Sequence, residues 1–208
     1  MQPPSWTRRT VPTVLATALV LALAACAPTD LGIGPEVTGT VIGYDGPEAD
    51  VAVYAFTNDP EADGTVVLGT GTVAGEQIRF SLKPAPASAL MPAVADDVEA
   101  SDPEAGIAVA FVVLADGSGE FQLGRYANPD APQVGDALGF LMYADRQVTF
   151  TAIGQHAYEA RSGSVTLREG WNVVTQTLAG ADELDRPFFE LGGGNINSFD
   201  WYFREALF

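Results

Sequence analysis

From residue 37 onward the chain is cut into short runs of strand-forming residues separated by turns, and this rhythm limits the fold more than any other feature. "VTGTVIG" (37–43) alternates apolar and small polar residues and ends at Tyr44-Asp45-Gly46-Pro47. "IRFSLK" (78–83) places Ile78, Phe80 and Leu82 on one face and Arg79, Ser81 and Lys83 on the other, the period of two of a half-buried strand. "DVAVYAF" (50–56), "IAVAFVVL" (107–114) and "ALGFLMYA" (137–144) are apolar on both faces, as in strands covered from both sides. Asp116-Gly117, which tolerates positive φ, joins the second of these to "EFQLGRYA" (120–127) as a hairpin. Further runs lie at 65–73, 146–153, 163–168, 171–178, 188–191 and 199–203, and Gly192–Gly194 reads as a flexible turn. The expectation is an all-β fold, an antiparallel β-sandwich of about ten short strands, with no amphipathic helix after the leader. Residues 84–106, rich in Pro, Ala and acids, interrupt the rhythm. They read as a long connection with one helical turn at Ser88–Met91, either a domain boundary or a crossing loop.

Ahead of the strands, Arg8 and Arg9 precede the uncharged run "TVLATALVLALAA" (13–25). A positive region followed by an apolar stretch of this length is the pattern of an export signal, and it falls short of the roughly 20 residues that span a bilayer. The run ends in Leu23-Ala24-Ala25-Cys26, which holds the single cysteine of the chain. This order resembles the lipobox of bacterial lipoproteins. The resemblance implies a signal peptide over 1–25, lipidation of Cys26 and a tether over 26–35 ahead of a domain at 36–208. Two or three acyl chains give stable anchoring, because each buried methylene adds about 0.8 kcal/mol. The expected location is the cell envelope, on the outer face of a membrane. The C-terminal "WYFREALF" does not alternate, which argues against a membrane barrel.

With a single cysteine, no disulfide forms within the chain, and stability must come from core burial. The formal net charge of −17 speaks against nucleic-acid partners, which demand a basic face. It leaves cation binding, or plain solubility through mutual repulsion.

Candidate chemistry is sparse. His156 has no accompanying nucleophile motif and no second histidine or cysteine for a metal, and reads as a loop or edge-strand residue. The pairs Asp96-Asp97, Asp102-Glu104 and Asp182-Glu183 sit in segments that read as solvated loops. "DPEADG" places Asp59, Glu61 and Asp63 at positions 1, 3 and 5 before Gly64, which imitates the start of a calcium loop. Position 12 would be Thr70 instead of a bidentate glutamate, and Pro60 stiffens the loop; the competing reading is a hairpin loop whose acids face water. Trp171, Trp201, Tyr202 and Phe203 could form a glycan platform, but alternation on strands favours the core.

Residues 37–56 resemble the opening of carboxypeptidase-regulatory-like domains, relatives of the transthyretin-type β-sandwich. Val37, Gly39, Val41, Gly46, Pro47, Val51, Val53 and Tyr54 occupy the V-x-G-x-V strand, the Gly-Pro turn and the V-x-V-Y strand of that pattern. The remainder resembles uncharacterised bacterial lipoproteins that pair Tyr143-Ala144-Asp145-Arg146 with Gly170-Trp171-Asn172. Neither resemblance implies catalytic residues or a cofactor. The expected function is a lipid-anchored, non-enzymatic role in envelope structure, adhesion or assembly, with either an envelope protein or a glycan as partner. The alternative is a glycan- or calcium-binding surface module.

Overall fold

The computed structural model describes residues 36–57, 64–93, 98–128, 131–152 and 159–205. In chain order the strands are β1 (Glu36–Ile42), β2 (Ala49–Phe56), β3 (Thr65–Ala74), β4 (Gln77–Ser81), β5 (Met91–Pro92), β6 (Val98–Ala100) and β7 (Gly106–Leu114). They continue as β8 (Gly119–Arg125), β9 (Ala137–Ala144), β10 (Val148–Ala152), β11 (Ala160–Leu167), β12 (Gly170–Ala181), β13 (Pro187–Gly194) and β14 (Asp200–Glu205). Single 3-10 turns lie at Ala87–Ala89 and Ile196–Ser198.

The fold is all-β, but the expected antiparallel sandwich of ten strands is corrected. Fourteen strands form one hydrogen-bonded mixed sheet in the order β5-β7-β2-β3-β4-β1-β14-β8-β9-β12-β13-β11-β10-β6. Two pairs are parallel: β1 with β14, where Val41 faces Trp201, and β11 with β13, where Ala160 faces Phe188. A period of two dictates which side chains share a face; it does not choose the partner strand, so pairings between distant segments leave no local mark. The count rises because residues 84–106 contribute the edge strands β5 and β6. The expected turn at Gly192–Gly194 is instead strand, opposite Val173–Thr175. Glycine is needed there for space, since a Cβ on Gly194 would stand 2.8 Å from Thr175 Cγ2.

Half of the sheet closes on itself. From β7 the hydrogen-bonded order runs through β2, β3, β4, β1, β14 and β8, and β8 pairs back to β7. Inside this ring lie Val37, Val53, Leu68, Ile78, Phe80 and Trp201. Trp201 is 2% exposed and meets Phe80 edge-on with ring centroids 5.4 Å apart. A Cβ on Gly39 would approach the indole to 2.6 Å, so the glycine of the V-x-G-x-V strand is where the ring admits Trp201. Tyr44 folds over the following turn and donates its hydroxyl to the Pro47 carbonyl.

Beyond the ring the sheet forks. β9 pairs with β8 through Ala137–Gly139 and with β7 through Leu141–Ala144. The order then continues through β12, β13, β11 and β10 to the edge at β6, while β5 flanks the start of β7. The two edges of this second curl, β5 and β6, are consecutive in the chain. Strands β7, β9 and β12 form the wall between two cores. Ala108, Val112, Leu141 and Val173 face the ring, while Ile107, Met142, Phe140 and Val174 face the second cluster. Two apolar faces on β7 and β9 are therefore two different interiors. For β2 the same reading is corrected: its second face is the outside of the ring, and Phe56 is 52% exposed.

Candidate ligand cavity

The second cluster is packed at one end and open at the other. Ala105, Ala144, Val148 and Leu167 are fully buried and plug it. Beyond them a cavity of about 840 Å³ takes lining from every strand of the curl. Ile107, Val109, Phe140 and Met142 face it from the shared wall, and Phe150, Val165 and Leu191 face it from the far side. Sheets of about eight strands closed into a barrel leave room for side chains or for one small ligand. The volume lies within the roughly 300–1,000 Å³ of small-molecule sites.

Two polar side chains reach this lining, Gln176 on β12 and Arg161 on β11. Arg161 Nη2 is ion-paired to Glu159 Oε1, and both side chains are about three-quarters buried. The described lining holds no thiol, hydroxyl, imidazole or carboxylate. Such a surface can desolvate and orient a molecule. No known family, curated protein or solved structure matches the chain. The chemistry of the cavity is thus read from its own residues.

A smaller cavity of about 240 Å³ sits at the fork, and Phe140 lines both. Phe111, two residues beyond Val109 on the same face of β7, also lines the smaller one. Its ring stacks on Tyr54 at 5.7 Å and meets Phe56 edge-on at 5.3 Å. One face of β7 thus leads from the cavity to an aromatic trio on the outside of the ring.

The residues singled out in the sequence fall elsewhere. Leu23, Ala24, Ala25, Cys26, Asp59, Glu61, Asp63 and His156 lie outside the described residues. Among the described residues, no group of three or more His, Cys, Asp or Glu could hold a metal ion, and no helix is long and apolar enough to cross a membrane. Of the C-terminal aromatics, Trp201 and Tyr202 are buried, and Phe203 packs on Tyr44 and Phe121. Trp171 meets Tyr143 edge-on and donates Nε1–H to the Lys83 carbonyl. They are packing residues, as alternation on strands implies.

The two short motifs meet across one strand pair: Ala144 faces Gly170, Tyr143 faces Trp171, and Met142 faces Asn172. Asn172 is fully buried, accepts from Arg168 N–H and donates to the Arg168 and Gly170 carbonyls, clamping the β11–β12 turn. Asp145 accepts from Gly106 N–H at 3.0 Å, and its bond to Arg146 holds its carboxyl below the usual range. Asp182 is likewise held low, first by Arg186, and accepts from Leu184 N–H and Arg186 N–H to close the β12–β13 turn. This acid, expected in a solvated loop, is a turn clamp.

The lining itself escaped the sequence reading. The available signal was a pair of strands, 107–114 and 137–144, apolar on both faces in a chain with no helix to cover either.

Proposed function

We propose that this chain is a lipid-anchored, non-enzymatic protein of the extracytoplasmic envelope that holds one small apolar or amphipathic molecule in the curl of its sheet. The observation that carries this reading is the apolar cavity of about 840 Å³ walled by all eight strands of the curl. The ring beside it fills its interior with Trp201, Phe80 and Leu68; the curl, built from the same kinds of residue, keeps space. The test is titration of the purified chain with a neutral solvatochromic dye and with lipid extracted from membranes. Saturable one-to-one binding is expected, and a ligand present at a hundred times its dissociation constant should stabilise the fold by about 2.7 kcal/mol. Absence of both binding and stabilisation would remove the cavity from the function. Anchoring rests on Leu23-Ala24-Ala25-Cys26 behind the apolar run. Cys26→Ser should move the protein out of the membrane fraction and abolish palmitate labelling; a variant that stays membrane-bound refutes the anchor.

Glycan recognition, as a second reading, draws on the trio Tyr54, Phe56 and Phe111. Phe111 is 37% exposed, and stacking on sugar rings uses such faces. A glycan array would separate the readings: a hit that Phe56→Ala removes while dye binding persists would favour the glycan.

A further inference from the structure

The cavity is graded along its length. On the inward face of β11, Leu167 and Val165 are buried, Gly163 follows, and Arg161 comes last. On the facing side of β12, the order is Asn172, Val174, then Gln176. Gln176 stands opposite Leu191 of β13, and Leu191 lies one same-face step from Phe189, the partner of Arg161. The two polar side chains therefore share one end of the lumen, and the plug of Ala144, Val148 and Leu167 closes the other. Arg161 is the one charged residue of the described lining, in a chain of net charge −17. Its guanidinium faces an apolar space where a matching anion gains most from pairing, and its forked donors suit a carboxylate.

Building on the cavity reading, we infer that the ligand is a single-chain amphiphile with a terminal carboxylate. Its hydrocarbon tail runs toward the plug, and its carboxylate sits at Arg161 beside Gln176. Glu159 holds Arg161 through Nη2 and is the competitor that the incoming carboxylate must displace or share. The arrangement disfavours a cationic head, which would meet Arg161.

Calorimetric titration of the full chain with straight-chain saturated fatty acids and their methyl esters, below micelle-forming concentrations, tests this. Affinity should rise about fourfold per added methylene, the factor set by burying one CH₂, until the lumen is full. Each acid should bind at least tenfold more tightly than its ester. Arg161→Gln should erase that preference while leaving ester affinity intact, which also reports that the variant is folded. Glu159→Gln should tighten binding of the acid and leave the ester unchanged. Equal binding of acid and ester to the native chain would overturn the head-group inference and leave the cavity reading standing. Failure of both to bind, with no stabilisation, would overturn the two together.

Discussion

The ring and the curl share three strands yet use them differently. On one face of β7, β9 and β12 the side chains meet Trp201, Phe121 and Leu123 in a core that borders the smaller cavity of about 240 Å³. On the other face, the same strands border about 840 Å³ of space. Hydrophobicity does not distinguish the faces, since Val109, Phe140 and Met142 are as apolar as Val112 and Leu141. Large side chains converge on the ring, where Trp201 spans the interior from β14 and Gly39 gives way to it. In the curl, alanines at 105 and 144 form half of the plug, and among the described residues no tryptophan lines the lumen. Apolar faces that large side chains do not fill can serve a ligand, whereas filled ones serve stability.

The first way to break this contrast is to cut into each core. Trp201→Ala should cost about 3–5 kcal/mol, because a fully buried indole leaves a large void in the ring core. Met142→Ala, facing space that is already open, should cost about 1 kcal/mol or less. Urea unfolding measures both, and equal losses would mean that the curl is packed as tightly as the ring. Asn172→Ala comes next: it strips the Arg168 and Gly170 backbone groups of their partner and should cost about 1–3 kcal/mol. A change below half a kilocalorie would demote the clamp.

Much of this contrast was legible in outline. Alternation at 78–83 became β4 with Ile78 and Phe80 buried, and the Asp116-Gly117 turn became the β7–β8 connection. Two of the three doubly apolar runs, 107–114 and 137–144, became part of the shared wall, because a strand between two interiors needs both faces dry. What could not be read were the partnerships. β1 and β2 are consecutive in the chain, yet β1 pairs with β4 and β14, and β2 pairs with β3 and β7. Parallel pairing of β1 with β14 links residues about as far apart as the described chain allows. Arg161 was equally silent, because it lies ahead of the expected run at 163–168, and its place in the lining depends on the sheet curling around it.

A smaller effect comes from filling the lumen. Val109→Phe places a larger ring into open space, so stability should change by less than about 1 kcal/mol, well below the usual penalty for overpacking a filled core. Ligand binding should nevertheless be lost. Val53→Phe, on the ring face of β2, is the matched control and should destabilise clearly more, since Val53 is fully buried in the ring core. If the two substitutions cost the same, the cavity is not a persistent feature of the fold.

Acid separates the two regions most gently. The depressed carboxyls of Asp145 and Asp182 belong to the curl, where one ties β9 to Gly106 at the start of β7 and the other closes the β12–β13 turn. Arg146 lowers the first and Arg186 the second, each mainly through a side-chain hydrogen bond. A carboxyl whose folded pKa lies below its unfolded value stabilises the fold at pH above the unfolded value. That contribution fades as pH falls through the ordinary carboxylate range toward the folded one. The ring has depressed acids at Glu36, paired with Arg79, and at Asp116, which accepts from Ser118 in the β7–β8 turn; both lie in water, so they contribute little. Lowering the pH from 7 toward 3 should therefore reduce the protection factors, taken relative to the intrinsic exchange rate at each pH, at Gly106, Leu184 and Arg186 before those at Val53 or Ile78. Asp182→Asn should remove most of the acid sensitivity at Leu184 and Arg186 and leave that at Gly106 in place. Simultaneous loss of protection across ring and curl would show that the shared wall couples them into one cooperative unit, and the difference in packing would then have no counterpart in local stability.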